Sequence, residues 1–313
     1  MSELRMIEAT ILAAGKGTRL LPVTNFLPKP LLPIVTRPLL ENIILSLEKQ
    51  GIEKLCINVH HLKDKIVDFL QRRQYAMEIA VSIENRILGT GGGLGRMRRY
   101  IKGENFVVYN GDIVTDINIR EAYRFHMGNK AVATLLIQRK KGSKDIQMEK
   151  DGRIINIAER LRPNRKGQEV FDFTGVAILN SKIFNFLPED DFYNIVDAYV
   201  ELIRMEKNIF GFVCGNNYWL DIGTKENYLL VHKDILLESK NILCNFSLSS
   251  SPFFVDKGSQ VSKKAQLSGF VSIGRNSLIG DNVQLENCVI FDNTVIDDGK
   301  NYRNCIISKD FVV

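Results

Sequence analysis

Lys16, Arg19 and Lys29 stand among glycines and prolines, in Ile11-Leu-Ala-Ala-Gly-Lys-Gly-Thr-Arg-Leu20 followed by Pro28-Lys-Pro-Leu-Leu-Pro33. Cations beside a glycine loop suit a polyphosphate. The apolar run from Ile7 to Ala14 reads as a buried strand. A loop leaving such a strand can aim consecutive backbone N–H groups at phosphate oxygens, and glycine admits the close approach. Leu12, Ala13, Ala14, Gly15, Gly17 and Thr18 are therefore candidate nucleotide-binding positions, with Arg19 and Lys29 adding fixed positive charge. Two better-known phosphate motifs are absent. Leu20 stands where G-x-G-x-x-G needs its last glycine, and Lys16 is followed by Gly17 where a P-loop needs Ser or Thr.

Other residues could complete such a site. Asn110-Gly-Asp112 ends a second apolar run, where a carboxylate is costly unless it meets a cation or hydrogen-bond donors. Glu84 and the loop Leu88-Gly-Thr-Gly-Gly-Gly93, with Gly89 and Thr90, form a candidate base pocket. Ionised Glu84 only accepts hydrogen bonds. It suits a base edge rich in N–H donors, such as the imide of uracil or the N1/N2 edge of guanine.

The elements that must position these groups follow from the pattern. Glu41 to Gln50 has helical spacing, Lys54 to Val59 reads as a strand, and Leu62 to Arg73 as an amphipathic helix. Glu78 to Ile83 is a strand, Gly92 to Tyr100 a helix and Phe106 to Tyr109 a strand. Repeated strand–helix units imply a mostly parallel sheet covered on both faces, with ligands at the carboxyl ends of its strands. Beyond residue 130, Ala131 to Gln138, Arg153 to Ile157 and Phe173 to Leu179 read as strands, and Tyr193 to Met205 as a helix. Ser247-Leu-Ser-Ser-Ser-Pro252 is a loop signal before a repeat. Val261, Leu267, Ile273, Ile279, Leu285 and Phe291 recur every six residues. Ser259, Ala265, Val271, Ser277, Val283, Val289 and Val295 do the same two positions earlier. This is the hexapeptide signature of a parallel β-helix, with its register expected to fail at Asp297-Asp-Gly-Lys300.

The 313 residues are 45% hydrophobic and 25% charged, with a net charge of +6. That modest excess fits small anionic substrates and calls for no nucleic acid. The five cysteines (Cys56, Cys214, Cys244, Cys288, Cys305) form no C-x-x-C pair and suggest free thiols in a reducing compartment. The chain shows no signal peptide and no membrane-length apolar run, so the expectation is a cytoplasmic protein with no membrane role. His60, His61, His126 and His232 lack metal-ligand spacing, and no histidine follows residue 232 to serve as an acyl-transfer base in the repeat.

Together, G-x-G-T-R-L and P-K-P-L-x-P resemble the signature of the sugar-1-phosphate nucleotidylyltransferases, or NDP-sugar pyrophosphorylases. The resemblance implies an α/β fold: a Rossmann-like mixed, mostly parallel sheet plus a short left-handed parallel β-helix. It divides the chain into a nucleotidylyltransferase domain at 1–230, a linker at 231–252 and a hexapeptide tail at 253–313. It implies attack of a sugar 1-phosphate oxygen on the α-phosphorus of a nucleoside triphosphate, with release of pyrophosphate. Arg19 and Lys29 match the motif's basic residues, and Asp112 and Asp221 (in Trp219-Leu-Asp-Ile-Gly-Thr224) would hold Mg²⁺. On the sugar side the resemblance points to Asn110, Glu159, Arg160, Thr174 and Gly175. The Leu88–Gly93 loop is similar to that of mannose- and heptose-phosphate guanylyltransferases. Asn110–Asp116 with Thr90–Gly93 is similar to N-acetylmuramate-1-phosphate uridylyltransferases. UTP or GTP is the expected donor. The tail is expected to assemble homo-oligomers. Two alternatives remain open: a non-catalytic regulatory subunit that binds NDP-sugar, and a cytidylyltransferase acting on a non-sugar phosphate such as phosphocholine.

Overall fold

Strand Ile7–Leu12 (β1) is buried almost end to end, as a parallel strand covered on both faces must be. In this computed structural model it pairs in parallel with Ile52–Val59 (β2) on one side and Asn105–Asn110 (β4) on the other, and β2 pairs with Glu78–Ile83 (β3). The structure describes residues 7–35, 37–139, 145–161, 169–240, 242 and 251–313. Cys244, Lys140, Lys141, Gly142, Ser143, Lys144 and the serines of the 247–250 loop signal lie outside the described residues.

The long strand Val170–Asn180 (β8) runs antiparallel to β4 and to Ala133–Gln138 (β5), and β5 is parallel to Ile209–Val213 (β9). The first residues of β8 extend onto Ile146–Met148 (β6), which pairs with Ile154–Ile157 (β7). The result is the expected mixed, mostly parallel sheet, with order β3-β2-β1-β4-β8-β5-β9. Helices Lys63–Gln71 (α2), Gly89–Met97 (α3), Ile119–Gly128 (α4) and Ile195–Arg204 (α5) accompany it, after Leu39–Lys49 (α1). Leu94, Met97, Ala198, Tyr199 and Leu202 pack with sheet residues such as Phe106, Leu135 and Ala177 in one core. No helix among the described residues is long and apolar enough to cross a membrane.

Contacts divide the chain into two units: Met1–Gly15 with Ser46–Trp219, and Lys16–Leu45 with Leu220–Val313. The segment carrying Arg19 and Lys29 thus belongs with the C-terminal part. The anticipated divide at residue 230 falls inside helix Lys225–Leu236 (α6).

The tail is a parallel β-helix whose register differs from the expected one. Gln260 pairs with Leu278, a step of 18 residues, as in the bond from Ser277 N–H to Ser259 Oγ. After an irregularity between Ser268 and Val271 the step is 17, with Leu278 opposite Val295 and Val271 opposite Cys288. Because side chains alternate along a strand, one residue fewer per turn exchanges the faces. Ile290, Ile296 and Ile307 therefore continue the interior column, and Cys288 joins them. Phe291 instead packs edge-on against Phe311, with ring centroids 5.7 Å apart, and Val295 is 62% exposed. Nor does the ladder stop at Asp297–Lys300. Gln284 pairs with Asn301 and Ile290 with Ile307, and the interruption is a corner with Gly299 at φ +72°.

Two histidines are buried as neutral rings. His126 on α4 bonds Thr134 Oγ1 (2.9 Å) and Asn105 Oδ1 (3.0 Å), and burial lowers its pKa to about 4. His232 on α6 is fully buried and likewise lowered to about 4. A histidine whose pKa falls on folding adds stability above its unfolded value near 6.5, and that stability is lost as pH drops toward the folded value. The full effect is on the order of 3 kcal/mol per ring. The urea midpoint should therefore fall steadily between pH 6.5 and 4 and change little from 7 to 8; a flat profile through the acid range would contradict it.

Candidate active site

The carboxyl ends of β1, β2 and β3 are tied together by one buried side-chain network. Asn58, at the end of β2, accepts the Ala13 N–H through Oδ1 (2.7 Å) and donates from Nδ2 to Glu84 Oε1 (2.6 Å). Glu84 Oε2 accepts the Leu88 N–H (3.1 Å), and the Glu84 carbonyl meets His60 Nδ1 (2.9 Å). Glu84 is only 1% exposed, and burial raises its carboxyl above the ordinary value despite those donors. The expectation was that Glu84 reads a base edge; here each of its oxygens already accepts a hydrogen bond from the wall of the site. Asn58 escaped the sequence reading. Its one signal was an amide at the end of an apolar strand, the same kind of signal that singled out Asp112.

The glycine-rich segment is helical from Gly89, where a loop was expected. Gly89–Met97 is helix α3, and its glycines let the helix lie against residues 188–195. The N–H groups of Gly91 and Gly92 donate to the Tyr193 carbonyl (2.8 and 3.2 Å). A Cβ on Gly92 or Gly95 would overlap the carbonyl oxygens of Asp191 and Pro188. Thr90 Oγ1 accepts the Ile195 N–H (3.0 Å) at the start of α5, while Gly89 (φ +72°) opens α3. The glycines from Gly89 to Gly95 thus allow the close approach of α3 to residues 188–195.

At the end of β4 the Gly111 N–H donates to the Leu12 carbonyl (2.9 Å), and a Cβ there would lie 2.9 Å from the same oxygen. Gly175 (φ +78°) leaves room beside the Asn110 amide, where a Cβ would sit 2.7 Å from Nδ2. The Thr174 carbonyl accepts Trp219 Nε1–H (2.7 Å). Leu12, Ala13, Asn110, Asp112, Thr174 and Gly175 therefore border one end of the sheet. Asp116 accepts from Tyr218 N–H (2.8 Å) and Asn217 Nδ2 (3.0 Å), a structural use. Arg160 pairs with Asp197 of α5, and Glu159 is exposed with φ +55°.

In the other unit, Gly17 turns at φ +66°, where a Cβ would press Thr24 Cγ2 at 2.7 Å. Thr24 Oγ1 donates to the Gly17 carbonyl (3.0 Å). Lys29 begins a one-turn 3₁₀ helix, Lys29–Leu31, after Pro28. Arg19 Nη2 meets Asp221 Oδ2 at 3.3 Å. Asp221 Oδ1 accepts the Gly223 N–H (2.7 Å), and its carbonyl accepts Asn227 Nδ2 (2.7 Å). The sequence offered Arg19 and Asp221 as phosphate and metal ligands; here they hold each other. Among the described residues no group of three or more His, Cys, Asp or Glu forms a metal cage.

A model of the nucleotidyl transferase family matches residues 8–238, most of the chain. The chain belongs to the nucleotidyl transferase family. A second model, the GMPPB C-terminal domain, matches residues 249–313. The chain is 30% identical over 237 residues to D-glycero-alpha-D-manno-heptose 1-phosphate guanylyltransferase of Aneurinibacillus thermoaerophilus, covering 73% of this chain and 98% of that one. It is 24% identical to mannose-1-phosphate guanylyltransferase of Mycobacterium tuberculosis, over 97% of this chain and 83% of the relative. Among solved structures, HddC from Yersinia pseudotuberculosis complexed with GMP-PN superposes with a TM-score of 0.61 at 25% identity, over 72% of this chain and 98% of that one. The chain is thus an enzyme of nucleotidyl transfer, and the two relatives just described are named for guanylyl transfer to sugar 1-phosphates.

The Glu84 network makes a specific prediction. In Glu84→Gln the amide must present N–H to either Leu88 or Asn58, and turning Asn58 to accept it sets Asn58 Nδ2 against the Ala13 N–H. Stability should fall by about 1–3 kcal/mol, the cost of a buried unmatched donor, with nucleotide preference unchanged. Unaltered stability together with a changed preference would restore Glu84 as a base reader.

Proposed function

We propose that this nucleotidyl transferase moves GMP from GTP to a hexose or heptose 1-phosphate, releasing pyrophosphate. The reading rests chiefly on the loop that presents Arg19 and Lys29, shaped by a left-handed glycine and flanked by prolines. The choice of guanine is supported by the two guanylyltransferases the chain resembles and by the tail's match to the GMPPB C-terminal domain. Glu84, engaged with Asn58 and Leu88, no longer argues for either base.

Both reactants are anions, so catalysis is positioning plus charge neutralisation. Arg19, turning from Asp221, would hold the triphosphate and the departing pyrophosphate. Lys29 would bind phosphate oxygens at the reacting centre. The backbone from Leu12 to Thr18 would cradle the phosphates. Asn110, Glu159, Arg160, Thr174 and Gly175 are assigned to the sugar phosphate, with Arg160 leaving Asp197 to do so. Asp112 and Asp221 would hold Mg²⁺. Two carboxylates suit a hard cation that keeps waters and takes phosphate oxygens. When bound, the cation offsets phosphate charge. Transfer is assigned to residues 1–230, with 231–252 connecting them to a tail at 253–313 through which like chains assemble. Cys56, Cys214, Cys288 and Cys305 are free, which favours a reducing, cytoplasmic setting.

The test is pyrophosphate release from four nucleoside triphosphates against a panel of sugar 1-phosphates. GTP should be preferred. A clear preference for UTP would move the donor assignment, and one for CTP with a non-sugar phosphate would overturn the reading. Asp112→Asn should lose at least ~100-fold in kcat while staying folded, as expected for loss of a principal electrostatic element. Near-normal turnover of folded Asp112→Asn at saturating Mg²⁺ would remove Asp112 from the site.

A further inference from the structure

Val35 is a β-branched residue at φ +58°, buried to 4% exposure, two residues beyond Pro33 of the Pro28–Pro33 segment. Such a residue is a genuine backbone outlier and persists only where its surroundings over-determine it. Both of its peptide groups are held. Its N–H donates to His232 Nε2 (3.1 Å), and its carbonyl accepts Ser272 Oγ–H (3.3 Å) from the β-helix. His232 Nδ1–H donates to the Tyr228 carbonyl (2.8 Å), which fixes the neutral tautomer with its lone pair toward Val35. One turn earlier on α6, the Tyr228 hydroxyl donates to the Pro33 carbonyl (2.6 Å).

Between Val35 and Lys29 there is little slack. Pro30 and Pro33 fix their own φ angles. The Leu31 and Leu32 N–H groups donate to the carbonyls of Pro28 (2.8 Å) and Lys29 (3.1 Å), and the Leu39 N–H closes onto Leu32 (3.0 Å). Pro33 and Ile34 pair with Pro38 and Arg37 as a two-residue ladder. A shift at Val35 is therefore passed along a stiff segment to Lys29. The tail also meets the chain just ahead of that segment, at Phe26, whose ring lies 5.6 Å from that of Phe311.

We propose that His232 and Ser272 are positioning residues for Lys29: by clamping the N–H and carbonyl of Val35, they tie the Pro28–Pro33 segment to α6 and the β-helix. The tail thereby acts within its own chain on the transfer step, besides any part in assembly. The inference rests on the reading of Lys29 as a residue of the reacting centre. Neither His232 nor Ser272 touches substrate; each acts through Val35.

The test uses the full-length chain, with kcat, KM for both substrates, thermal midpoint and oligomeric mass measured for Ser272→Ala, His232→Phe and Lys29→Met. Ser272→Ala removes one hydroxyl and leaves the strand intact. It should lower kcat about tenfold, since a misplacement near 1 Å can cost about a hundredfold. Its KM values should stay within about twofold of wild type, with the protein folded at the assay temperature and its mass unchanged. His232→Phe keeps a ring but leaves the Val35 N–H without its acceptor, and should lower kcat further; if it does not fold, Ser272→Ala decides alone. Wild-type kcat in folded Ser272→Ala, whatever its thermal midpoint, beside an inactive Lys29→Met, overturns the inference and leaves the functional reading standing. A fully active Lys29→Met overturns both.

Discussion

Three hydrogen bonds from or beside helix α6 hold the cationic signature in shape. Asn227 fixes the backbone of Asp221, whose carboxylate meets Arg19; Tyr228 reaches Pro33; His232 reaches Val35. Arg19 and Lys29 are charged residues on an irregular segment, and neither could be placed by regular backbone pairing of its own. The helix supplies what the segment lacks. It is in turn seated on the β-helix strands Gln266–Ile273 and Gln284–Ile290, with Tyr228 and Phe291 edge to face at 6.4 Å. Buried aromatic and apolar contact of this kind is non-directional, so the polar bonds set the register and the apolar contact holds it.

The other unit solves a similar problem with a buried carboxylate. Glu84 is costly to enclose, yet each of its oxygens meets a donor, and its acceptor-only chemistry forces the Asn58 amide into one orientation. That orientation leaves Oδ1 facing the Ala13 N–H, which fixes the first residue beyond β1. Positioning through a fully satisfied buried network is stiff because no member can turn without stranding another.

The sequence made the strands and helices around the sheet legible because their apolar periods are long and regular, as at Lys54–Val59 and Glu41–Gln50. It pointed to Arg19, Lys29 and Asp112 because charged residues beside glycine, proline or a strand end are costly there without a partner, and to Asp221 only through the resemblance of Trp219–Thr224 to a family motif. Three features were not legible. Glu84 and Asn58 are partners across 26 residues, and nothing local marks a carboxylate as facing inward rather than toward a ligand. Gly91, Gly92 and Gly95 could equally serve a ligand or a close helix approach, and only the position of residues 188–195 decides. In the tail, a single missing residue per turn exchanged Phe291 for Ile290 and Val295 for Ile296, a slip that a period-six count carries forward unnoticed.

The central claim is that the signature segment, α6 and the β-helix fold and hold as one unit. Native-state hydrogen exchange across a denaturant series tests it directly, because segments that open together share one opening free energy and one denaturant slope. The account predicts that amides in 31–35, 228–236 and 271–291 converge on a common isotherm. If the 271–291 strands open on their own, at a lower free energy that leaves the protection of Val35 unchanged, the β-helix does not support the signature and the claim is contradicted.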